Sequence, residues 1–324
     1  MLRCMKNDVL YIVIPCYNEE DVLPEIVRRL GDKLTSLTKN GLINAKSRVL
    51  LVDDGSSDGT WALIRHFHNR DARFSGLALT RNNGQQNALM AGLMFAKERC
   101  DVAISMDADL QDDIDAIDDM LEHYQKDIDI VYGVRSDRSS DTRLKRWTSL
   151  AFYRLMNKLG TETVYDHAEF RLMSRRALEG LSQFGEVNLF LRGIVPMIGY
   201  PTAIVTYQRG ERFAGETKYS FKKLLNLTIE AITSLSVKPL RLIGVVGAGL
   251  FVVFGIMLLC NTSQECFTSA IYSIWCVGGL ILMALGVLGE YIGKIYLETK
   301  HRPRYLIREA IEHENSKRKE TTYD

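Results

Sequence analysis

Two long uncharged segments near the C-terminus restrict the fold more than any other feature of this 324-residue sequence. The first, LIGVVGAGLFVVFGIMLLCNTSQ, lies between Arg241 and Glu265, and the second, CFTSAIYSIWCVGGLILMALGVLG, lies between Glu265 and Glu290. Each is longer than the roughly 20 residues that a helix needs to cross the hydrocarbon core of a bilayer. A buried core helix is the alternative for one such segment, but two in succession favour a transmembrane hairpin over residues 240–291.

Basic residues on both outer sides of this hairpin predict its orientation. Lys238 and Arg241 precede it, and a series of basic residues follows it from Lys294 onward. The short connection at 261–267 contains no Lys or Arg. By the positive-inside rule, we expect a multi-pass protein of the inner (cytoplasmic) membrane with the N-terminal domain and both termini in the cytoplasm.

The segment before the hairpin, residues 217–239, carries apolar residues at helical spacing. They are Phe221, Leu224, Leu225, Ile229, Ile232 and Leu235. This spacing favours an amphipathic helix that lies in the membrane interface, and a core helix of the soluble domain is the alternative. Residues 292–324, after the hairpin, are expected to form a charged cytosolic tail.

The chain before residue 217 alternates between apolar runs of strand length and segments with helical periodicity. The predicted strands are 10–14, 49–52, 77–80, 102–106 and 128–132, and the predicted helices are 22–37, 61–69, 87–98 and 114–124. Such alternation indicates βαβ units. We therefore predict an α/β domain with a mostly parallel sheet over residues 1–216.

A cluster of polar residues follows each of the five predicted strands. The clusters are PCYNEE at 15–20, DDGSSDGT at 53–60, RNNGQQN at 81–87, DADLQDD at 107–113 and GVRSDR at 133–138. Ligands of open α/β sheets bind outside the carboxyl ends of the strands. Five polar clusters at such ends therefore predict one shared site.

The fourth cluster is the candidate metal site. Asp107 and Asp109 are two residues apart, so their side chains point the same way in an extended segment, and Gln111 continues that side. Mg²⁺ typically takes one or two carboxylates, with substrate phosphate oxygens and water completing its shell. No cluster of His or Cys accompanies these residues, which disfavours Zn²⁺. A solvated turn is the alternative for a DxD motif that stands alone.

The second and third clusters contain candidates for binding a nucleoside, a phosphate or a sugar. A carboxylate at Asp54 can accept hydrogen bonds from a base N–H or a ribose hydroxyl, whereas Ser57 and Asp58 are better explained as caps of the next helix. Gly84, after Asn82, allows the backbone to approach a phosphate or a sugar. An ordinary helix start is the alternative for this third cluster.

Composition excludes some classes of function. Lys and Arg number 41 against 40 Asp and Glu, a net charge of +1, which gives no basic signal for nucleic-acid binding. The six cysteines show no CxxC spacing, so we expect free thiols in a reducing compartment.

The order of the motifs resembles the inverting glycosyltransferases of family two. These motifs are IVIPCYNEE, LLVDDGSSDGT, LTRNNGQQNALMAG, MDADLQDD, VYGVRSDR, DHAEFRLMSRRAL, VNLFLRGIVPMIGY and RFAGETKYSFKKL. More narrowly, the chain resembles polyisoprenyl-phosphate glycosyltransferases, the branch with dolichol-phosphate mannose synthase and bactoprenol glycosyltransferases. The resemblance covers essentially the whole chain. It implies a Rossmann-like GT-A cytosolic domain, followed by an interface helix and two transmembrane helices, that transfers a sugar from a nucleotide sugar to a polyprenyl phosphate.

The resemblance also implies roles for individual residues. Those that would hold the uridine are Pro15, Tyr17, Glu19 and Asp54. Those that would bind Mg²⁺ or Mn²⁺ at the donor diphosphate are Asp107, Asp109 and Gln111. Those proposed for the acceptor phosphate are Arg135, Lys145 and Ser149, with Arg143 and Arg146 as rivals. Those that would neutralise diphosphate charge are Arg212 and Lys218.

Two features limit how far a catalytic base can be assigned. The segment HAEFRL has Ala168 and Glu169 where the family pattern leads us to expect Gly and Asp, so neither Asp166 nor Glu169 is assigned a catalytic role. The nucleophile would be a phosphate oxygen that is already ionised near neutral pH, so positioning matters more than deprotonation. Charge that grows on the leaving diphosphate would be stabilised by the cation and Arg212.

The resemblance favours UDP-glucose or UDP-N-acetylglucosamine as donor and undecaprenyl phosphate as acceptor, giving a lipid-linked sugar for cell-envelope glycans. It also implies a homo-oligomer, such as a tetramer. One rival is a processive polysaccharide synthase, but two spans are few for a channel and Gln208 does not begin a QxxRW motif. The other rival is a non-catalytic membrane scaffold that binds nucleotide sugars.

Overall fold

The computed structural model describes residues 8–136, 167–187, 190–208, 210 and 266–313, with isolated positions between 240 and 256. The strands are β1 (Leu10–Cys16), β2 (Arg48–Asp53), β3 (Phe74–Leu79), β4 (Val102–Ser105), β5 (Ile130–Arg135), β6 (His167–Ser174), β7 (Thr202–Tyr207) and β8 (Ile307–Ile311). The helices are α1 (Leu23–Lys39), α2 (Thr60–Arg70), α3 (Gln85–Lys97), α4 (Ala116–Gln125), α5 (Arg175–Ser182), α6 (Leu191–Met197) and α7 (Cys266–Thr299).

One sheet joins these strands in the order β7-β5-β6-β4-β1-β2-β3-β8. Strands β1 to β4 pair in parallel, and β5 pairs in parallel with β7. Because β6 is antiparallel to both β4 and β5, the β5–β7 pair runs in the same direction as β1 to β4. Only β6 and β8 are reversed within the described part of the sheet. The predicted α/β class with a mostly parallel sheet is confirmed, and six strands present their carboxyl ends at one edge.

Helices cover both faces of the sheet. One buried cluster contains apolar residues of α1, α2 and α4, and the other contains those of α3, α5 and α6. Strands β1 and β2 are therefore buried along their whole length, which explains their near-continuous apolar runs, LYIVIPC and RVLLVD. On α3, Gly92 allows the closest approach to the sheet, because a Cβ there would collide with Val13 and Val52.

The five predicted strands and four predicted helices all exist, with ends that shift by a few residues. The sequence reasoning did not predict β6, α5, α6, β7 or β8. Strand β8 falls in the segment that we expected to be a tail. It pairs antiparallel with β3, with Ile311 opposite Gly76. The described cysteines that can be assessed, Cys16 and Cys100, are buried free thiols, as expected.

Among the described residues, one helical stretch, Val277–Thr299 of α7, is long and apolar enough to cross a membrane. Its apolar side chains face outward: Leu282 is 71% exposed and Met283 is 67% exposed. Helix α7 contains the second predicted span and continues past the predicted boundary at residue 291 to Thr299. The predicted interface helix at 217–239 and most of the first predicted span lie outside the described residues, so the hairpin stays a prediction.

Short contacts fasten the end of α7 to the α/β domain. Glu298 accepts a hydrogen bond from the backbone N–H of Val187 at 2.8 Å, and Arg304 donates to the carbonyl of Phe184 at 2.5 Å. Beyond them, β8 extends the sheet. Glu312, directly after β8, accepts hydrogen bonds from the Tyr11 hydroxyl at 2.6 Å and from Arg99 at 2.8 Å. The chain therefore returns to the sheet directly after α7.

Candidate active site

The predicted polar clusters meet at the carboxyl edge of the sheet. Pro15 lies opposite Val52 near the end of β1, and Tyr17, directly after the strand, is 41% exposed. The backbone N–H of Glu19 donates to the Thr60 hydroxyl at 2.9 Å, which ties the loop after β1 to the start of α2. These residues line the region predicted for the nucleotide.

The loop after β2 interlocks with its neighbours. The backbone N–H of Asn18 donates to the Ser56 hydroxyl at 3.0 Å. Asp58 accepts the N–H of Thr60 at 3.0 Å, but it lies one residue before Gly59, the N-cap of α2, so the predicted helix cap at this residue is not confirmed. Gly55 has φ +67, and a Cβ there would lie 2.5 Å from the carbonyl carbon of Arg81. Glycine therefore lets the loops after β2 and β3 pack directly against each other.

Asp54 is buried beneath the loop after β3, with 2% of its surface exposed. One carboxylate oxygen accepts the N–H of Asn83 at 2.8 Å, and the other accepts the N–H of Gly84 at 2.9 Å. Burial raises the pKa of Asp54, and the two backbone donors oppose that rise. Gly84 has φ +87, and the exposed Asn82 accepts its N–H at 3.1 Å. The contact that Asp54 makes here is with the loop itself, and its predicted contact with uridine stays a prediction.

Asp53 is more deeply buried, with 1% of its surface exposed. Its Oδ1 accepts the backbone N–H of Ser56 at 3.0 Å. Its Oδ2 has no hydrogen-bond partner among the described residues, and the guanidinium of Arg308 lies 3.6 Å away. Within the described part of the chain, the cation that pairs with this carboxylate therefore comes from β8.

The DxD segment after β4 forms a tight turn. Leu110 carries a positive φ of +54, and the side chain of Asp109 accepts the N–H of Gln111 at 3.2 Å. Gln111 is joined to the segment after β7, because its carbonyl accepts the N–H of Gly210 at 2.9 Å. Gln85, the first residue of α3, donates from its side chain to Asp107 at 2.7 Å. Sequence reasoning did not select Gln85, although it stands in the third polar cluster.

Negative charge is concentrated around Asp107. Burial and the carboxylates of Asp112, Glu169 and Asp109 raise the pKa of Asp107 to about 7, and Arg192 opposes the rise. A divalent cation would relieve this repulsion. The oxygen donors of the predicted set, two carboxylates and one amide, fit Mg²⁺ or Mn²⁺. No three His, Cys, Asp or Glu side chains of the described residues form a metal-binding group, so substrate and water would have to complete the shell.

The burial of the Glu169 carboxylate is explained by two arginines that pair with it. Glu169 is 4% exposed and accepts hydrogen bonds from the buried Arg171 at 2.5 Å and from Arg192 at 3.0 Å. Glu169 and Arg171 are two residues apart on β6, so their shared face was readable from the sequence once the strand is known. Arg192 comes from α6, and no local pattern pointed to it. Sequence reasoning missed this buried ion cluster beside the DxD segment.

Arg135 ends β5 and lies beside a hydrogen-bonded pair. The hydroxyl of Tyr207, at the end of β7, donates to Asp112 at 2.5 Å. Burial raises the pKa of Asp112, whereas Tyr207 and Arg135 oppose the rise. Of the residues predicted for the acceptor phosphate, Arg135 alone lies in the described part of the chain. The residues outside it are Arg143, Lys145, Arg146 and Ser149, together with Arg212 and Lys218 of the predicted diphosphate set.

Comparison with known proteins decides the family. The model of the family described as glycosyl transferase family 2 matches residues 11–182, which is most of the α/β domain. The chain belongs to glycosyltransferase family 2. The resemblance seen in the sequence motifs is thereby confirmed, and the family is one of transferase enzymes.

Two relatives match nearly the full length of this glycosyltransferase. It is 50% identical to the uncharacterized glycosyltransferase YkoT of Bacillus subtilis, over 92% of this chain and 91% of the relative. It is 39% identical to the prophage bactoprenol glucosyl transferase homolog of Escherichia coli, over 92% of this chain and 97% of the relative. A solved structure, mannosyl-3-phosphoglycerate synthase from Rubrobacter xylanophilus, shares 14% identity over 80% of this chain and 78% of its own, with a TM-score of 0.45. That likeness is too weak to support an argument about function.

Proposed function

We propose that this glycosyltransferase moves glucose from UDP-glucose to undecaprenyl phosphate at the cytoplasmic membrane, with N-acetylglucosamine as the alternative sugar. The observation that carries the proposal is the 39% identity to proteins named bactoprenol glucosyl transferase, over 92% of this chain and 97% of the Shigella phage SfV protein. This similarity extends through the region of α7 as well as the α/β domain. The product would be a lipid-linked sugar for cell-envelope glycans.

Asp107, Asp109 and Gln111 would hold Mg²⁺ or Mn²⁺ at the donor diphosphate. When bound, the cation would act as a Lewis acid toward the leaving nucleotide diphosphate. The excess negative charge around Asp107 supports this assignment, because the described groups that surround it include three further carboxylates. Gln85 would orient Asp107 through the hydrogen bond at 2.7 Å.

The nucleotide would lie across the loops after β1, β2 and β3. Tyr17 is exposed at this edge, and Asp54 keeps Gly84 close to the strand ends through its backbone hydrogen bond. We place Pro15, Glu19 and Asn82 in the same region, with the glycine backbone available to a sugar or phosphate.

The acceptor phosphate would approach from the β5 side. Arg135 is the described basic residue at that strand end, and Lys145, Arg146 and Ser149 follow it in sequence. The phosphate oxygen is ionised near neutral pH, so these residues would position it rather than deprotonate it. Arg212 and Lys218 would neutralise charge on the diphosphate as it leaves.

The exposed apolar surface of α7 supports a location at the membrane, where a polyprenyl chain resides. A hairpin with both termini in the cytoplasm and an interface helix before it would keep the site at headgroup depth. A homo-oligomer, such as a tetramer, completes the proposal.

The test is a transfer assay with the purified full-length protein, undecaprenyl phosphate and Mg²⁺. Radiolabelled UDP-glucose, UDP-N-acetylglucosamine and GDP-mannose are supplied in separate reactions, and lipid is extracted with organic solvent. We expect label in the lipid phase from UDP-glucose, and its loss with EDTA. Label that enters the lipid phase only from another donor would show that the enzyme transfers the sugar of that donor and not glucose. UDP-glucose binding without transfer from any donor would instead indicate a non-catalytic membrane scaffold, and polymer in place of a single lipid-linked sugar would indicate a synthase.

A further inference from the structure

The carboxylate of Asp53 poses a problem of charge at the edge of the nucleotide region. Its side chain is 1% exposed, and only Oδ1 has a hydrogen-bond partner among the described residues, the N–H of Ser56. A buried carboxylate oxygen without compensation is costly. The fold must therefore supply positive charge near Oδ2 by another route.

That charge comes from β8. The guanidinium of Arg308 lies 3.6 Å from Asp53 Oδ2, and 6.0 Å from the centre of the Trp61 ring on α2. At 3.6 Å the contact is an ion pair without a hydrogen bond, and the Arg308 side chain is 47% exposed. Arg308 stands one residue after the start of β8, at the same edge of the sheet as the polar clusters.

The positions of the loops after β1, β2 and β3, which form the predicted nucleotide region, depend on the position of Asp53. Asp53 holds Ser56, and Ser56 in turn accepts the N–H of Asn18 from the loop after β1. The adjacent Asp54 holds the backbone of Gly84 in the loop after β3. A shift at the end of β2 would therefore be transmitted to all three loops.

We propose that Arg308 is a positioning residue for the nucleotide region: by neutralising Asp53 from β8, it stabilises the loops that the donor would contact. Because β8 carries Arg308, an ordered donor site would require that β8 is paired with β3. This role rests on the proposed function where it concerns donor binding, but the effect on the loops themselves does not.

The test uses full-length protein in detergent micelles and measures hydrogen–deuterium exchange of the loop amides at 54–58 and 82–84. In R308M we expect exchange to rise about five-fold in both loops, in keeping with a half-exposed ion pair. Exchange across the β3–β8 pairing is expected to stay unchanged. R308K should restore most of the protection.

A matched control removes the neighbouring ion pair of β8. Arg65 pairs with Glu309, the residue after Arg308. R65M should leave loop exchange unchanged if the effect is specific to Asp53. An equal rise in R65M, or no rise in R308M, would overturn the proposal.

A charge-removal cycle separates neutralisation from packing. In D53N the side chain keeps an oxygen for Ser56 but loses its charge, so R308M added to D53N should cause no further rise in loop exchange. If R308M raises exchange equally in both backgrounds, Arg308 acts through packing on Trp61 and the assignment is wrong.

Donor affinity provides the functional readout, with UDP and Mg²⁺ as the probe. We expect R308M to weaken UDP binding about five-fold with little change in kcat. Absence of UDP binding in every variant, including the wild type, would count against the proposed donor, while the exchange data would still decide the role of Arg308.

Discussion

Two pairs of acidic residues lie at or just after the carboxyl ends of β2 and β4, the two strands that flank β1, and their surroundings differ. At the end of β2, Asp53 and Asp54 are held by backbone N–H groups and by Arg308. At the end of β4, Asp107 is surrounded by further carboxylates, and the pKa of Asp107 rises to about 7. The first pair is balanced within the protein and organises loops. The second has an excess of negative charge and suits a cation.

The largest effect is expected where the cation would bind. D109N should reduce transfer by about 100-fold or more, because it weakens charge stabilisation of the leaving group. Tm without nucleotide should not fall below that of wild type, since Asn can still accept the N–H of Gln111 and the change removes a carboxylate that repels Asp107. The measurements are transfer rate at saturating Mg²⁺ and a thermal melt.

D119N is the matched control, because Asp119 is exposed on α4. It should transfer sugar at the wild-type rate. Normal product formation by D109N at saturating Mg²⁺ would contradict a role of Asp109 in binding the cation, and the two acidic pairs would then not differ in this way.

A substitution in the pair at the end of β2 should mainly lower the free energy of unfolding. D54A leaves the N–H of Asn83 without its acceptor and the N–H of Gly84 with Asn82 alone, so we expect about 2 kcal/mol of lost unfolding free energy. Chemical denaturation measures this loss, and donor KM should rise with it. A D54A protein of unchanged stability that has lost activity would show that Asp54 acts on substrate rather than on the loop.

A smaller effect is expected from the partner of Asp107. Q85A removes the hydrogen bond at 2.7 Å that orients this carboxylate. The Mg²⁺ concentration for half-maximal activity should rise about ten-fold, as is typical when a metal ligand loses its supporting hydrogen bond. A metal titration of transfer rate measures it. If instead only donor KM changes, Gln85 contacts substrate.

The smallest effect concerns a carboxylate outside the site. Burial and the charge of Glu298 raise the pKa of Glu186. A carboxyl group whose pKa is higher in the folded chain costs stability above that pKa and nothing below its unfolded pKa. E186Q should therefore raise Tm by about 1 °C at pH 7.5 and leave it unchanged at pH 3.5. Melts at both pH values test this, and a stabilisation that persists at pH 3.5 would point to a cause other than charge.

Sequence patterns predicted the strands and helices that their own apolar residues reveal. Strands β1 and β2 were readable because helices cover both faces and the runs are apolar throughout. Strand β8, IREAI, is short and charged, and it is a strand only because β3 offers an edge. Its partner is far away in sequence, so periodicity could not reveal it.

The same limit applies to the candidate site. Asp107 and Asp109 were found because their spacing and their place after a strand are local signals. Arg192, which pairs with Glu169, and Arg308, which pairs with Asp53, were not found, because both come from distant elements. Only the tertiary fold shows that Asp53 has a basic neighbour while the carboxylates around Asp107 crowd one another.

The late position of β8 sets an order of events during synthesis. Tyr11 and Glu312, which are hydrogen-bonded across the completed fold, are 301 positions apart. A ribosome therefore releases β3 and then all of α7 before it releases the strand that covers the edge of β3. Until then the nascent domain has an open strand edge, which is prone to pairing with other chains. Translation that stops after α7 would leave an apolar helix attached to a domain whose sheet is unfinished.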